Sequence, residues 1–132
     1  MVAILWVGIA GSIGTLLRYF IGLWVGRLGM LSLFPVGTLT VNLIGCLVLG
    51  WFAQWAETKR FLSPPVRTGI STGLIGSFTT FSTFSAETVQ LFRLGRWESG
   101  IAYLVISMFG GLCLVWLGTV IGGKKRKEAT HG

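Results

Sequence analysis

Residues 73–85, which read GLIGSFTTFSTFS, are the most unusual part of this 132-residue chain. Six of the nine residues from 77 to 85 carry a hydroxyl group, and the other three are phenylalanines. Glycine followed by β-branched, hydroxyl-rich residues makes a poor continuous helix, because the hydroxyls compete for backbone hydrogen bonds. We therefore expect the helix that contains this stretch to be broken within it.

Outside this stretch the chain is apolar and carries few charges. Its residues are 52% hydrophobic and only 11% charged, and the mean hydropathy is +0.76. A soluble domain usually has roughly a quarter charged residues. Uncharged runs precede residue 18 and fill 28–56, 68–86 and 99–123. This composition excludes an ordinary soluble enzyme and a disordered chain, and it predicts an all-α membrane protein.

The length allows four membrane spans and no second domain, because a spanning helix needs about 20 apolar residues. The predicted spans cover residues 2–25, 36–55, 66–92 and 101–122, the third contains the predicted break, and a basic tail follows at 124–132. In the first span, a strip of small residues recurs at multiples of four and predicts the close approach of another segment. The strip consists of Ala10, Gly14, Gly22 and Gly26. Residues 1–132 are thus predicted to form one four-helix transmembrane domain.

The basic residues give the spans little preference for one orientation. Outside the tail, three loop charges lie on each side of the predicted membrane, and only the four basic residues at 124–127 disturb this balance. Balanced loops allow both orientations and hence an antiparallel homodimer, whereas the alternative is that the tail fixes one orientation. The charges compared are Lys59, Arg60 and Arg67 on the side of the termini, and Arg27, Arg93 and Arg96 on the other side.

Several classes of function lack the residues that they need. The net charge of +7 comes largely from basic groups that flank the spans, where such groups contact lipid headgroups, so nucleic-acid binding is not expected. Cys46 and Cys113 lie in different spans without metal-ligand spacing, His131 is the only histidine, and there is no aspartate. Metal catalysis, a Ser-His-Asp triad and a carboxylate pair all lack their parts, so no enzyme activity is expected.

A series of phenylalanines is the first candidate for a functional element. Phe78, Phe81 and Phe84 recur at intervals of three and would form one stripe on a helix. Such a stripe usually serves packing, but the electropositive edge of an aromatic ring can also face an anion. Conduction requires binding that is weak enough to release the ion. Alternating rings and hydroxyls would therefore suit a small, strongly hydrated anion.

Three polar side chains inside the spans are further candidates. Arg18 and Glu87 are intramembrane charges, which are costly and usually functional. Arg18 either draws an anion into a vestibule or extends to the membrane interface. Glu87 either accepts hydrogen bonds from hydroxyls, pairs with Arg18 or Arg93, or lies near the membrane surface. Asn42 either hydrogen-bonds another helix or lines a polar path.

The predicted break offers a second kind of site. Carbonyl oxygens freed near Gly76 and Thr79 could coordinate a cation, as unwound segments do in transporters. Alternatively, neighbouring serine and threonine hydroxyls satisfy these carbonyls. The residues alone leave both interpretations open.

Three motifs resemble those of the Fluc (CrcB-type) fluoride channels. They are GSIGTLLRY at 11–19, GTLTVNLIG at 37–45 and GSFTTFSTFS at 76–85, and the resemblance extends over all four spans. The chain departs from the family at Ser77, where glycine is common. The resemblance implies a dual-topology, antiparallel homodimer with two fluoride pores, in the bacterial inner membrane. The implied activity is passive export of cytoplasmic fluoride, which reduces fluoride toxicity.

The resemblance also implies roles for single residues. Phe81 and Phe84 would be the ring pair of the pore, and Asn42 would contact fluoride nearby. The carbonyls of Gly76 and Thr79 from both subunits would hold one central, structural sodium ion. The vestibule would contain Arg18, and the polar path beside the rings would contain Thr38, Ser82, Glu87, Tyr103 and Ser107.

Two other functions compete with a fluoride channel. A small four-helix, proton-coupled multidrug exporter could also form dual-topology dimers, but it needs a titratable carboxylate in the centre of its first span. This chain has Arg18 there. A non-transporting assembly subunit would explain the strip of small residues, but it would not explain the run of hydroxyls and phenylalanines.

Overall fold

The computed structural model describes residues 2–28, 34–58 and 62–130, and the regular elements in these ranges are all helical. The prediction of an all-α protein is confirmed over these residues. The elements are α1 (Val2–Leu28), α2 (Val36–Thr58), α3 (Pro64–Thr68), a π-helical segment (Gly69–Ile75), α4 (Gly76–Phe78), α5 (Phe81–Arg93) and α6 (Trp97–Thr130).

Three helices are long and apolar enough to cross a membrane, and they comprise Val2–Arg27, Val36–Glu57 and Trp97–Gly123. Each exceeds the roughly 20 residues that a spanning helix needs at 1.5 Å per residue. They contain the predicted spans 2–25, 36–55 and 101–122, so the chain is a multi-pass membrane protein. The predicted span 66–92 does not form one helix, because its residues are divided among α3, the π segment, α4 and α5.

The divided segment begins at a proline pair. Pro64 and Pro65 occupy the first turn of α3, where their missing N–H groups would have no helical partner in any case. The hydrogen-bond pattern widens to that of a π-helix over Gly69–Ile75 and returns to that of an α-helix at Gly76. Residues 64–78 are therefore one helical rod with a wide turn in its middle.

Helical backbone stops at Thr79 and Thr80. Thr79 has φ −79° and ψ 159°, and Thr80 has φ −145° and ψ 121°, so both residues are extended. Thr80 is the N-cap of α5, since its Oγ1 accepts a hydrogen bond from the Thr83 N–H at 3.2 Å. Threonine is a good N-cap and a weak helix former, which favours a new helix start after this pair.

A tight turn joins α5 to α6. The N–H of Leu94 bonds to the Gln90 carbonyl at 3.0 Å, and the N–H of Arg96 bonds to the Leu91 carbonyl at 2.9 Å. Gly95 has φ +71°, a left-handed conformation that favours glycine. The chain thus reverses within three residues, and α6 begins at Trp97 beside the end of α5.

Glycines bring α2 and α6 into direct backbone contact. A Cβ atom added to Gly50 would collide with the Val115 carbonyl oxygen, and one added to Gly118 would collide with the Leu47 carbonyl oxygen. Small residues at such interfaces let membrane helices approach closely, and the gain is close van der Waals packing. Among the described elements, these two helices make the most extensive contact.

The strip of small residues on α1 contacts two different segments. A Cβ on Gly14 would collide with the Leu74 carbonyl oxygen of the π segment, and the carbonyl oxygen of Gly22 lies 2.7 Å from where a Cβ of Gly37 would be. Gly26, in contrast, has open space around it. The predicted close approach is therefore confirmed for Gly14. At Gly22 the approach depends on the glycine at position 37, because a Cβ on Gly22 itself would meet open space, as it would on Gly26.

The outer faces of α1 and α6 are apolar and exposed. Trp24 is 68% exposed on α1, and Trp116 is 67% exposed on α6. By contrast, the buried core cluster is small and consists of Phe52, Ala56 and Ile75. An apolar surface of this kind belongs against lipid or another protein chain rather than water.

The backbone of α6 continues past its apolar span. The span ends at Gly123, next to the predicted end at 122, and the helix extends without interruption to Thr130, within the predicted basic tail 124–132. Residues 131 and 132, which include His131, lie outside the described residues, as do the loop charges Lys59 and Arg60.

Substitution of Gly118 by alanine tests the contact between α2 and α6. The new Cβ would meet the Leu47 carbonyl oxygen and lie 2.7 Å from the Trp51 nitrogen. We expect the free energy of unfolding to fall by about 1–3 kcal/mol, as overpacking does in other cores. Thermal unfolding of the purified protein in detergent measures this loss.

Gly111→Ala is the matched control in the same helix. Its Cβ would meet only the Cys46 Sγ atom, at 3.4 Å, which is an ordinary contact. Equal melting temperatures for Gly118→Ala and the unsubstituted protein would contradict the described packing.

Candidate functional site

Asn42 holds the extended residues between α4 and α5. Its side-chain amide donates from Nδ2 to the Thr80 carbonyl at 3.0 Å, and its Oδ1 accepts from the Thr80 N–H at 2.8 Å. One side chain on α2 thus satisfies both backbone groups of a residue that lies outside the helices. Of the two interpretations of Asn42, hydrogen bonding to another segment is therefore present, and Asn42 also lines a cavity that is described below.

Glu87 connects three helices through its carboxylate. Thr38 on α2 donates to Oε1 at 2.8 Å, and Tyr103 on α6 donates to Oε2 at 2.8 Å. Of the three situations considered for Glu87, the structure shows the first, in which hydroxyls donate to the carboxylate. Tyr103 is completely buried, so its ring and hydroxyl fix the position of Glu87 on α5.

Aromatic rings form a continuous series beside this carboxylate. The ring centroids of Phe81 and Phe84 lie 5.9 Å apart, and those of Phe84 and Tyr103 lie 5.1 Å apart. Phe81 is 80% exposed, which is unusual for an aromatic side chain. The Phe81 ring therefore has a free face at the end of a series of rings that leads to the Glu87 carboxylate.

The prediction that Phe78, Phe81 and Phe84 form one helical stripe is wrong. Phe78 ends α4 and is only 8% exposed, whereas Phe81 begins α5 and is exposed. The extended residues Thr79 and Thr80 lie between them, so the spacing of three no longer corresponds to one face of a helix. Only Phe81 and Phe84 remain neighbours on the same helix.

A first cavity lies between α1, α2 and α5. Its volume is about 390 Å³. Arg18 and Glu87 both line it, so groups of opposite charge face the same space, together with the hydroxyls of Thr38, Thr80 and Thr83. The lining is completed by Tyr19, Gly22, Leu23, Gly26, Phe34, Pro35, Val36, Gly37 and Val41.

A second cavity lies between α2, the divided segment and α6. Its volume is about 360 Å³, and the Phe81 and Phe84 rings line it beside Asn42. The hydroxyl oxygen of Ser107 is buried and has no hydrogen-bond partner among the described residues, and Ser107 also lines this cavity. The lining is completed by Gly45, Cys46, Leu49, Ser71, Ile75, Gly76, Thr79, Thr80 and Met108.

The residues predicted to bind a cation lie at the second cavity. Gly76 is exposed and Thr79 is half-buried. The Thr79 hydroxyl lies 3.3 Å from the Gly76 carbonyl oxygen and 3.4 Å from the Ile75 carbonyl oxygen. These distances are long for an O–H···O hydrogen bond, which is usually 2.7–2.8 Å. A weak hydroxyl contact therefore leaves the Gly76 carbonyl with capacity for a further ligand.

The structure separates the predicted site residues into two groups. Arg18, Thr38 and Glu87 line the first cavity, while Asn42, Gly76, Thr79, Phe81, Phe84 and Ser107 line the second. Tyr103 lies behind Glu87 and Phe84, and Ser82 is exposed with its hydroxyl 3.4 Å from that of Thr80.

Two threonines at the site were not singled out by the sequence analysis. Thr80 pairs with Asn42 and caps α5, and Thr83 lines the first cavity. A sequence signal for Thr80 exists, because threonine directly before an apolar residue is a common start of a helix. Within the hydroxyl-rich run, several residues satisfy that pattern, which hides the one that matters.

Comparison with known proteins identifies relatives of this chain. The model of the CrcB-like protein family, described as "CrcB-like protein, Camphor Resistance (CrcB)", matches residues 5–119. The chain is 46% identical to "Fluoride-specific ion channel FluC 1" of Bacillus thuringiensis subsp. konkukian over 127 residues, which are 96% of this chain and 92% of that protein. It is 40% identical to "Fluoride-specific ion channel FluC 2" of Listeria monocytogenes serotype 4b, over 96% of this chain and 95% of the relative. It is 42% identical to "Fluoride-specific ion channel FluC 2" of Geobacillus kaustophilus, over 92% and 94%.

Substitution of Asn42 by alanine tests its hold on the extended residues. The N–H and carbonyl of Thr80 would lose their partners, and a buried unsatisfied polar group costs about 1–3 kcal/mol. We expect lower thermal stability and faster amide hydrogen exchange in a peptide that contains residues 79–83. Asn42→Asp should not restore stability, because its carboxylate can accept from the Thr80 N–H but brings a charge into the span and sets an oxygen against the Thr80 carbonyl.

Ser12→Ala is the control for this experiment. The Ser12 hydroxyl also donates to a backbone carbonyl, that of Gly8 at 3.0 Å, but on an exposed helix surface. We expect no change in exchange at residues 79–83. Unchanged exchange in Asn42→Ala as well would contradict the described pairing.

Proposed function

Because this chain belongs to the CrcB-like family, we propose that it is a fluoride-selective ion channel that exports fluoride passively from the cytoplasm. The observation that carries the proposal is the placement of Phe81, Phe84 and Asn42 around one cavity beside a non-helical backbone. The names of its relatives, which are fluoride-specific ion channels, support the same conclusion.

The second cavity offers an anion weak but directional contacts. The edges of the Phe81 and Phe84 rings carry partial positive charge. The Ser107 hydroxyl, which has no partner among the described residues, is available as a donor. None of these groups is a full charge, so an ion that loses part of its hydration there is not held tightly. A small anion such as fluoride fits this combination of rings and hydroxyls.

The first cavity has the properties of an entrance. The Arg18 guanidinium attracts anions, and the cavity connects the surface of the subunit with the hydroxyls of α5. The Glu87 carboxylate engages the hydroxyl protons of Thr38 and Tyr103. The Thr38 hydroxyl lines this cavity and can turn from the carboxylate toward an anion, while Tyr103, which is buried behind Glu87, holds the carboxylate in place. In this proposal Thr38, Ser82, Glu87, Tyr103 and Ser107 form the polar path.

We propose that the functional unit is an antiparallel homodimer with two pores. Phe81 is 80% exposed and the outer faces of α1 and α6 are apolar, so one subunit alone leaves the ring pair open on one side. A second copy would complete the lining of the second cavity. The loop charges, three on each side, support insertion in both orientations.

The dimer proposal includes one structural sodium ion between the subunits. The residues fit such an ion, because carbonyl oxygens are ligands of Na⁺ in unwound membrane segments and the Gly76 carbonyl has only a weak contact to a hydroxyl. The carbonyls of Gly76 and Thr79 from two copies would hold it. When bound, the ion would link the broken segments of the two subunits.

The proposal assigns the protein to the inner (cytoplasmic) membrane of a bacterium. Its relatives above come from Bacillus, Listeria and Geobacillus. A channel needs no catalytic groups, so the proposed activity is not enzymatic. The alternative, a proton-coupled multidrug exporter, is not favoured, because α1 carries Arg18 where that mechanism needs a carboxylate.

Ion release from liposomes tests the proposed activity. Liposomes that contain the purified protein should release fluoride, and not chloride, when a potassium ionophore sets the membrane voltage. For Phe81→Ala we expect fluoride release to slow by about tenfold, which corresponds to about 1.4 kcal/mol of lost stabilisation of the ion. Phe109→Ala is the matched control, because Phe109 is also exposed, at 59%, but lines neither cavity. Equal release of both anions would refute selectivity for fluoride.

Labelling in cells tests the antiparallel arrangement. In a chain whose Cys46 and Cys113 are replaced by serine, Glu98→Cys provides one exposed thiol at the start of α6. A membrane-impermeant maleimide should label about half of the chains in intact cells, as dual topology requires. Labelling of all or none of the chains would show a single orientation.

Exchange of sodium for a large organic cation tests the sodium ion separately. A ligand that binds only the assembled state stabilises it by mass action. We therefore expect the melting temperature of the purified dimer to fall on exchange and to recover when Na⁺ is restored. A melting temperature that is independent of Na⁺ would exclude a structural ion.

A further inference from the structure

One residue is common to the two cavities. Of all the residues that line the first cavity and all those that line the second, only Thr80 occurs in both sets. Val41 and Asn42, which follow each other on α2, face the first and the second cavity respectively. Thr80 and this part of α2 therefore form the wall between the space that contains Arg18 and the space that contains Phe81.

The backbone of Thr80 is fixed in this wall. The residue is 8% exposed, and Asn42 binds both its N–H and its carbonyl group. Its extended conformation ends one helical rod and begins another, so the wall cannot move aside without breaking these hydrogen bonds. An opening between the two cavities must therefore come from the movement of a side chain and not of the backbone.

The Thr80 hydroxyl is the polar group of that side chain. Its Oγ1 accepts from the Thr83 N–H at 3.2 Å and donates to the Thr83 Oγ1 at 3.0 Å. Only the first of these bonds caps α5. The proton of the second can turn about the Cβ–Oγ1 bond toward another acceptor, while the oxygen keeps its bond to the helix. The oxygen of the Thr80 hydroxyl thus caps α5, while its proton is available for a hydrogen bond to another acceptor.

We propose that Thr80 is the constriction between the two cavities. As the anion crosses, the Thr80 hydroxyl keeps its proton and changes its hydrogen-bond acceptor from the Thr83 Oγ1 to the anion. This inference rests on the proposed function. It assigns Thr80 a position between the Arg18 entrance and the phenylalanine rings. A charge-assisted hydrogen bond at this point offsets the loss of water in the narrowest part of the path.

Three substitutions separate conduction from helix capping. Thr80→Val has almost the same shape but no hydroxyl, and Thr80→Ser restores the hydroxyl. Thr80→Asn keeps an N-cap at least as good as threonine, but it places a longer amide in the wall. Each variant is assayed for fluoride release from liposomes and for thermal stability of the dimer.

We expect fluoride release to fall by about tenfold or more in Thr80→Val, as the loss of a hydrogen bond to a charged group would give. Thr80→Ser should recover most of the lost rate. Thr80→Asn should retain the melting temperature and yet conduct poorly. Thr88→Val is the control on the same helix, because Thr88 is 7% exposed and bonds to the Phe84 carbonyl, but it lines neither cavity.

Three results would overturn the inference. Release by Thr80→Val at the rate of the unsubstituted protein would show that no donor is needed. Release by Thr80→Asn at that rate, or failure of Thr80→Ser to recover it, would show that Thr80 serves only the fold. If the unsubstituted protein releases no fluoride, the proposed function itself fails, and the inference fails with it.

Discussion

The pairing of Asn42 with the backbone of Thr80 is the interaction on which the rest of the structure depends. A backbone that leaves the helical conformation at membrane depth exposes an N–H and a carbonyl, and in hydrocarbon each costs several kcal/mol if it has no partner. Asn42 provides one donor and one acceptor from the same side chain. An ionised carboxylate in its place could accept from the N–H but could not donate to the carbonyl. The amide thus allows α5 to start at Phe81 and determines where the rings lie.

The middle of α5 is held by a carboxylate rather than by an amide. Glu87 is tied to α2 through Thr38 and to α6 through Tyr103. Glycines on α2 and α6 bring these two helices close enough for a single carboxylate to reach both. The short helix is therefore fixed at its start and near its middle by polar side chains, and its buried residues are few. The two cavities lie on either side of this fixed element.

The sequence predicts the fold better than it predicts the details of the site. Apolar runs and sparse charge were enough to identify the spans of α1, α2 and α6, because bilayer thickness sets the length of a spanning helix. The role of Glu87 could not be chosen among three situations, since its partners Thr38 and Tyr103 are 49 and 16 residues away in the chain. Phe78 was grouped with Phe81 and Phe84 because periodicity assumes one continuous helix. Thr80 was overlooked, because its importance depends on a cavity on each side of it.

The π-helical segment Gly69–Ile75 has a consequence for how such chains can vary. A π turn closes its hydrogen bonds over five residues where an α turn uses four, so this segment contains one residue more than an α-helix would need between the same two ends. Loss of one residue there would give a regular helix, with Pro64 and Gly76 still near their present positions. An evolutionary change of length is therefore most easily absorbed in the stretch that packs against α1. When relatives of different length are aligned, a one-residue gap in the divided segment is expected at this π turn and not in the hydroxyl-rich run that follows it.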